Sequence, residues 1–213
     1  ALPLQRMELQ HCKDRDTMLY AFSSRELQLL PLDLTATGAS GVSGSGDYTD
    51  APTTVMQFLG FNTRRAPFDD AALRQAVSTA VDRQGLVDSC LLGHGSAAQL
   101  PVSPASEWYP AALETAYSPA PLSQLTQRAD DTEADADTAS AGADTAGRYA
   151  GTAVTLLVNQ ENAFKTTAAQ EIADSLSRAG LSVTVEAVPW ETYLQRLQDG
   201  SFDLYYGECR LTA

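Results

Sequence analysis

The chain has 213 residues, 44% of them hydrophobic, and a formal net charge of −13 at pH 7. That length can bury a real core in one domain, while the acidic balance argues against nucleic acid and against anionic lipid, both of which call for a Lys/Arg surface. No run reaches the roughly 18–20 apolar residues that span a bilayer, and three cysteines without a Cys-x-x-Cys pair, with only His11 and His94 beside them, give no support for a zinc site.

Taken in chain order, Leu4–His11 reads as a strand carrying Leu4, Met7 and Leu9. Asp16 is placed to cap a helix through Arg25, with Met18, Leu19, Ala21 and Phe22 on its buried side. Leu27–Leu34 is a short apolar run interrupted by Pro31 and Asp33. Thr35–Pro52 is rich in Gly, Ser, Thr and Asp and reads as a long loop. Its GASGVSGSGD stretch matches neither phosphate-cradling glycine pattern and holds no in-frame G-x-S-x-G nucleophile turn.

Thr53–Asn62, β-branched and aromatic, predicts a strand. Asp69 or Asp70 caps the helix that follows, and Leu73, Ala76, Val77, Ala80 and Val81 form its buried stripe. Gly85 interrupts the pattern, and a second short helix, Leu86–Leu92, stops at Gly93, where a left-handed cap suits glycine. Cys90 lies on the apolar face of that helix as a small core residue. The sequence leaves open whether any two of Cys12, Cys90 and Cys209 pair.

A low-complexity acidic insert is expected at about 112–150, because between Ala129 and Gly147 no large apolar residue occurs. Such composition does not offset the entropy of ordering, so disorder is expected there. Asp130, Asp131, Glu133, Asp135 and Asp137 lack the glycine and terminal Glu of a calcium loop and read as a solvated tract. Beyond it, Thr152–Asn159 predicts a strand. Phe164, Ala168, Ile172 and Leu176 share one helix face ended by Gly180. Leu181–Val188 alternates as a strand, Trp190–Gln198 is a helix ended by Gly200, and Phe202–Glu208 is a last strand. Trp190, just after Pro189, is expected in the core. Strand–helix alternation of this kind builds a mostly parallel sheet with flanking helices.

Several stretches carry a family pattern. Phe61-Asn62, Pro67-Phe68-Asp69, Arg74-Gln75-Ala76, Ala80 and Asp82-Arg83 follow "fN … pf-D-x-x-x-R-q-A-x-x-x-A-x-D-r", and a Gly-rich exit leads to Pro101. Gln170-Glu171-Ile172 with Leu176 and Ala179-Gly180-Leu181, then Gly200-Ser201-Phe202-Asp203-Leu204, continue it. In these segments the chain resembles the family 5 extracellular solute-binding proteins that feed peptide and nickel ABC importers. The helix motif "A-x-x-L-L-x-x-a-G", usual near the insert, is not recognisable here.

The resemblance implies one α/β lobe, residues 1–213, of a two-lobe type II periplasmic-binding-protein fold, with the N-terminal lobe missing. It implies capture of a peptide or small-molecule ligand by closure of two lobes, ABC permease subunits as partners and a monomer, while the residues themselves indicate no metal and no cofactor is expected. It also implies an extracytoplasmic place, periplasmic or as a surface lipoprotein, with signal and anchor outside this stretch. The function is that of a binder rather than an enzyme, since neither histidine has a partnered nucleophile in a recognisable spacing. A receptor-fold interaction or sensor domain without transport is the alternative, because the family's "g-W-x-x-D" pattern finds no Trp at Glu208-Cys209-Arg210.

Open α/β sheets bind ligands beyond the carboxyl ends of their strands. That rule makes Asn62, Glu208 and Arg210 the candidate contacts, with Arg210 for a peptide carboxylate and Glu208 for an amino terminus. Trp108, after the Pro-rich exit, is the aromatic candidate. The plainer readings are that Asn62 only closes a turn, that Glu208 and Arg210 fray at a chain end, and that Trp108 is core or surface.

Overall fold

The computed structural model describes residues 5–36, 47–51, 53–104, 106–127 and 147–211. Two compact units divide the chain: Ala1–Leu34 with Ala39–Thr49, and Thr35–Gly38 with Asp50–Ala213.

Among its described residues the smaller unit holds one helix, α1 (Arg15–Ser23). Its cap is Asp14 rather than the expected Asp16: an Asp14 oxygen accepts the Thr17 N–H at 2.8 Å. Asp16 instead lies in the first turn, where a negative charge meets the positive end of the helix dipole. The strand expected at Leu4–His11 does not form among residues 5–11, and Met7 and Leu9 stand exposed. No neighbouring strand among the described residues takes up its backbone groups, and an apolar pattern alone does not make a strand.

The larger unit is built on a sheet of β1 (Val55–Phe61), β2 (Ala153–Asn159), β3 (Ser182–Val188) and β4 (Leu204–Arg210), ordered β1-β4-β2-β3. β2, β3 and β4 run parallel, and β1 runs antiparallel to β4 with Val55 opposite Arg210 and Phe61 opposite Leu204. Central β2 is apolar on both faces because both are covered: Val154, Leu156 and Val158 point into one core and Leu157 into the other.

The α-helices among its described residues are α2 (Ala71–Ala80), α3 (Arg83–Cys90), α4 (Ala120–Thr126), α5 (Ala163–Arg178) and α6 (Trp190–Asp199). Asp70 caps α2 through the Ala72 N–H, which decides between the two aspartates. α3 starts three residues earlier than the glycine suggests. The Asp82 carboxylate accepts the N–H of Gly85, so the glycine sits in the first turn instead of breaking the helix. α2, α4 and α5 bury Leu73, Val77, Leu122, Ala169 and Leu176 against the face of Leu156, Leu204 and Tyr206. Each fully buried leucine contributes about 1.5–3 kcal/mol of apolar transfer. α6 covers the opposite face with Tyr193, whose hydroxyl donates to the Tyr206 carbonyl at 2.8 Å.

The expected insert splits into two parts. Its acidic stretch, 128–146, lies outside the described residues, but its flanks belong to the core. Leu122 and Thr126 on α4 and Tyr149 beyond the stretch are buried. A short helix, α4, therefore stands within the stretch expected as an insert. Thr126 donates its hydroxyl to the Ala179 carbonyl at 2.7 Å, directly beneath Gly180. Gly180 has φ +101°, and a Cβ there would lie 2.1 Å from that hydroxyl, so only glycine fits the crossing.

Candidate ligand-binding site

Because β2, β3 and β4 are parallel, their carboxyl ends share one edge of the sheet. The β2–β4 register sets Leu156 beside Leu204, which carries Glu208–Arg210 past the end of β2. β1 begins at this same edge. α5 and α6 follow β2 and β3 directly, so both helices start here and direct their N-terminal N–H groups toward it.

Glu208 sits at the centre of the edge. Its Oε2 accepts from Gln57 Nε2 at 2.8 Å, across the β1–β4 ladder, and pairs with Lys165 Nζ at 3.1 Å. The Lys165 side chain is 17% exposed and that of Glu208 40%. Gln57 Oε1 is buried without a hydrogen-bond partner among the described residues. Arg210 lies two residues beyond Glu208 on the same face of β4 and is exposed.

Lys165 and Gln57 were not singled out from sequence, although a signal existed for Lys165. It occupies the third position of α5, three residues after the capping Asn162. A cation there opposes the helix dipole unless a carboxylate offsets it. Gln57 carried no such mark, because only strand register reveals its place opposite Glu208. Trp190, expected in the core, is 48% exposed at the start of α6. Its ring stacks on Tyr193 with centroids 5.5 Å apart, and burial pushes the Tyr193 hydroxyl up to about 12. The Trp190 N–H donates to the Glu161 carboxylate.

Asn62 is not brought to this edge. β1 is antiparallel, so its carboxyl end lies at the amino ends of the other three strands. There Asn62 is 7% exposed; Nδ2 donates to the carbonyls of Gly200 and Phe202, both at 2.9 Å, and Oδ1 accepts the Arg64 N–H at 3.2 Å. The carboxyl-end rule misplaced it because that rule presumes a parallel strand. Asp203 completes the same corner. Its Oδ2 accepts from the Thr155 N–H and hydroxyl, and its Oδ1 pairs with Arg65 at 2.6 Å. Trp108 stands 79% exposed in the loop before a single 3-10 turn, with no ring contact among the described residues.

The sequence model of the bacterial extracellular solute-binding proteins, family 5 Middle, matches residues 3–209. The chain belongs to this family. Family 5 members are extracellular or periplasmic substrate-binding proteins. The chain is similar to the oligopeptide-binding protein AppA of Bacillus subtilis, 27% identical over 149 residues. That match covers 68% of this chain and 26% of AppA, so the chain spans about a quarter of that relative's length. It is also similar to heme-binding protein A of Haemophilus influenzae, 32% identical over 75 residues, covering 35% of this chain and 14% of that protein. In fold it resembles NikA from Brucella suis, solved in complex with Fe(III)-EDTA, at TM-score 0.64 and 20% identity. That likeness covers 93% of this chain and 40% of NikA. The fold is that of a type II periplasmic binding protein, seen here in part.

Proposed function

We propose that this chain is one lobe of an ABC importer's substrate-binding protein, that its ligand is a peptide, and that capture proceeds by closure of a second lobe over the carboxyl edge of the sheet. The family match over residues 3–209 carries the reading. The peptide class draws on the similarity to AppA, which extends over about two thirds of the chain, whereas the heme-binding relative matches about one third. Of the four residues selected from sequence, Glu208 and Arg210 are the ligand-side candidates, since they stand where the parallel strands end. Trp108 is a candidate only through its exposure, and Asn62 acts in the fold. The role is binding rather than catalysis, the protein acts as a monomer outside the cytoplasmic membrane, anchored as a lipoprotein or free in a periplasm, and ABC permease subunits receive the ligand.

The test is a thermal-shift titration of the complete two-lobe protein against mixed tri- to nonapeptides, hemin and nickel-histidine. A ligand specific to the folded state at 100 times its Kd stabilises by about 2.7 kcal/mol. Peptides are expected to raise the melting temperature and the other two to leave it unchanged. A shift with hemin or nickel-histidine and none with peptides overturns the peptide assignment.

A further inference from the structure

We infer that Asn162 is a latch: it fastens the chain, at the point where it leaves the smaller unit, to the start of α5, and so ties that connecting segment to the carboxyl edge of the sheet. The inference rests on the reading of that edge as the ligand side. The chain passes from the smaller unit to the larger between Leu34 and Thr35 and enters the larger unit again at Asp50. Asn162 Nδ2 donates to the Thr35 carbonyl at 2.8 Å, across 127 positions of sequence. At the later entry His94 Nδ1 lies 2.8 Å from Asp50 Oδ1, so the chain is held at both places.

The loop from β2 to α5 is stitched to the edge residue by residue. Asn159 Oδ1 accepts the Glu161 N–H at 2.7 Å, the Gln160 N–H donates to the Val188 carbonyl at 2.9 Å, and the Glu161 carboxylate accepts the Trp190 N–H at 3.1 Å. Asn162 then does two things. Its Oδ1 accepts the Lys165 N–H at 3.0 Å and caps α5. Aspartate and serine cap about as well as asparagine, because capping uses the side-chain oxygen. What asparagine adds is the amide donor, and that donor is spent on Thr35. Lys165, whose N–H this cap holds, pairs through Nζ with Glu208, and Glu208 accepts from Gln57 on β1. Connecting segment, helix start and the β1–β4 pair are thus joined in one series of hydrogen bonds. A ligand that orders the start of α5 tightens the latch, and by linkage the closed latch raises ligand affinity by the same factor.

The experiment is native-state cleavage of the complete receptor by thermolysin, read by mass at Leu32 and Leu34, with and without saturating trialanine. Such cleavage tracks the population of the locally opened chain. Asn162→Ser and Asn162→Asp keep a capping oxygen and remove the donor. Both should hold the wild-type melting temperature yet be cut at Leu32 and Leu34 about two- to tenfold faster, the range that one net hydrogen bond spans. Asn162→Ala, which also loses the cap, should lower the melting temperature as well. Trialanine should slow this cleavage in the wild type and much less in Asn162→Ser, whose Kd should rise by a factor comparable to the lost protection. The latch is overturned if Asn162→Ser and Asn162→Asp are cut at the wild-type rate without ligand. Its coupling to the edge is overturned if trialanine protects the wild type and Asn162→Ser alike. If the wild type binds no trialanine, the peptide reading falls, while the ligand-free rates still decide the latch.

Discussion

The side chain of Asn62 donates to the Gly200 and Phe202 carbonyls and accepts from the Arg64 N–H, so its hydrogen-bonding capacity is spent on the backbone of the β1–β4 corner. Asn62→Ala strands two carbonyls and one N–H in a buried setting. At about 1–3 kcal/mol for each unsatisfied group, discounted for water entry, a loss of about 2–4 kcal/mol is expected in urea denaturation. Ligand affinity should change less than about twofold, because the residue lies at the opposite edge from Glu208. A large affinity loss at unchanged stability would return Asn62 to the binding site. A second residue-scale effect concerns Tyr149, whose hydroxyl donates to Asp70 Oδ2 at 2.7 Å. Burial, followed by the Asp70 hydrogen bond and charge, pushes the Tyr149 phenol up to about 12. The Tyr149 hydrogen bond, followed by that of the Ala72 N–H, holds Asp70 below the usual carboxylate range. The phenol must stay protonated in the fold, so its contribution is complete below pH 10 and is lost as pH rises from 10 to 12. Stability measured from pH 9 to 12 should fall, and should fall less steeply in Tyr149→Phe. Identical slopes would remove Tyr149 from the alkaline transition.

At the scale of elements, β1 and β4 pair through two glycines that lie beneath aromatic rings. A Cβ on Gly60 would sit 2.1 Å from the Tyr205 ring, and one on Gly207 would sit 2.6 Å from the Phe58 ring. Those two rings meet edge to face with centroids 5.7 Å apart. Gly60→Ala should therefore cost about 1–3 kcal/mol despite alanine's smaller backbone entropy loss, since overpacking exceeds that gain. Tyr205→Leu in the same chain should recover part of the loss, and strict additivity in the double-mutant cycle would contradict the contact. The same alternation settles one cysteine question. Cys90 packs against the core cluster on the face of Leu204 and Tyr206, whereas Cys209 points to the other face of β4, so the sheet separates the two thiols. The helices and strands after residue 53 were legible because their apolar periods were consistent over whole elements, as with Phe164, Ala168, Ile172 and Leu176 on α5. Leu4–His11 was misread because alternation without a pairing partner carries no weight. α4 was hidden because Leu122 and Leu125 are too few to show a period before the acidic tract begins. At the site, Glu208 and Arg210 could be named from strand order. Lys165 and Gln57 needed the β1–β4 register and the α5 start, which are tertiary facts, and the antiparallel sense of β1 moved Asn62 to the far edge.

For the whole molecule, the acidic segment 128–146 raises the question of how a core domain tolerates it between α4 and β2. The described residues on either side answer this. After the segment, the Gly147 N–H donates to the Gln124 carbonyl at 3.1 Å and the Tyr149 N–H to the Leu125 carbonyl at 2.8 Å. The chain thus rejoins the last turn of α4 at the place it left, and Tyr149 re-enters the same core as Leu122. Among the described residues, Leu122 and Tyr149 share one core on either side of the segment, so its removal is expected to ask little of those elements. Replacing 128–146 by a linker of about four residues shortens the closed loop from about twenty, a little over two doublings. At about 0.6 kcal/mol per doubling, the shorter loop should stabilise the protein by about 1 kcal/mol. The deletion also removes six acidic residues and one arginine from a chain of net charge −13, which relieves self-repulsion in the same direction. Chemical denaturation of the deletion variant at low salt should show an increase of that size with an unchanged m-value, and the gain should shrink at high salt as screening removes the charge contribution. A loss of stability above about 1 kcal/mol would mean that the segment contributes packing to the fold, and the closed-excursion account would then be wrong.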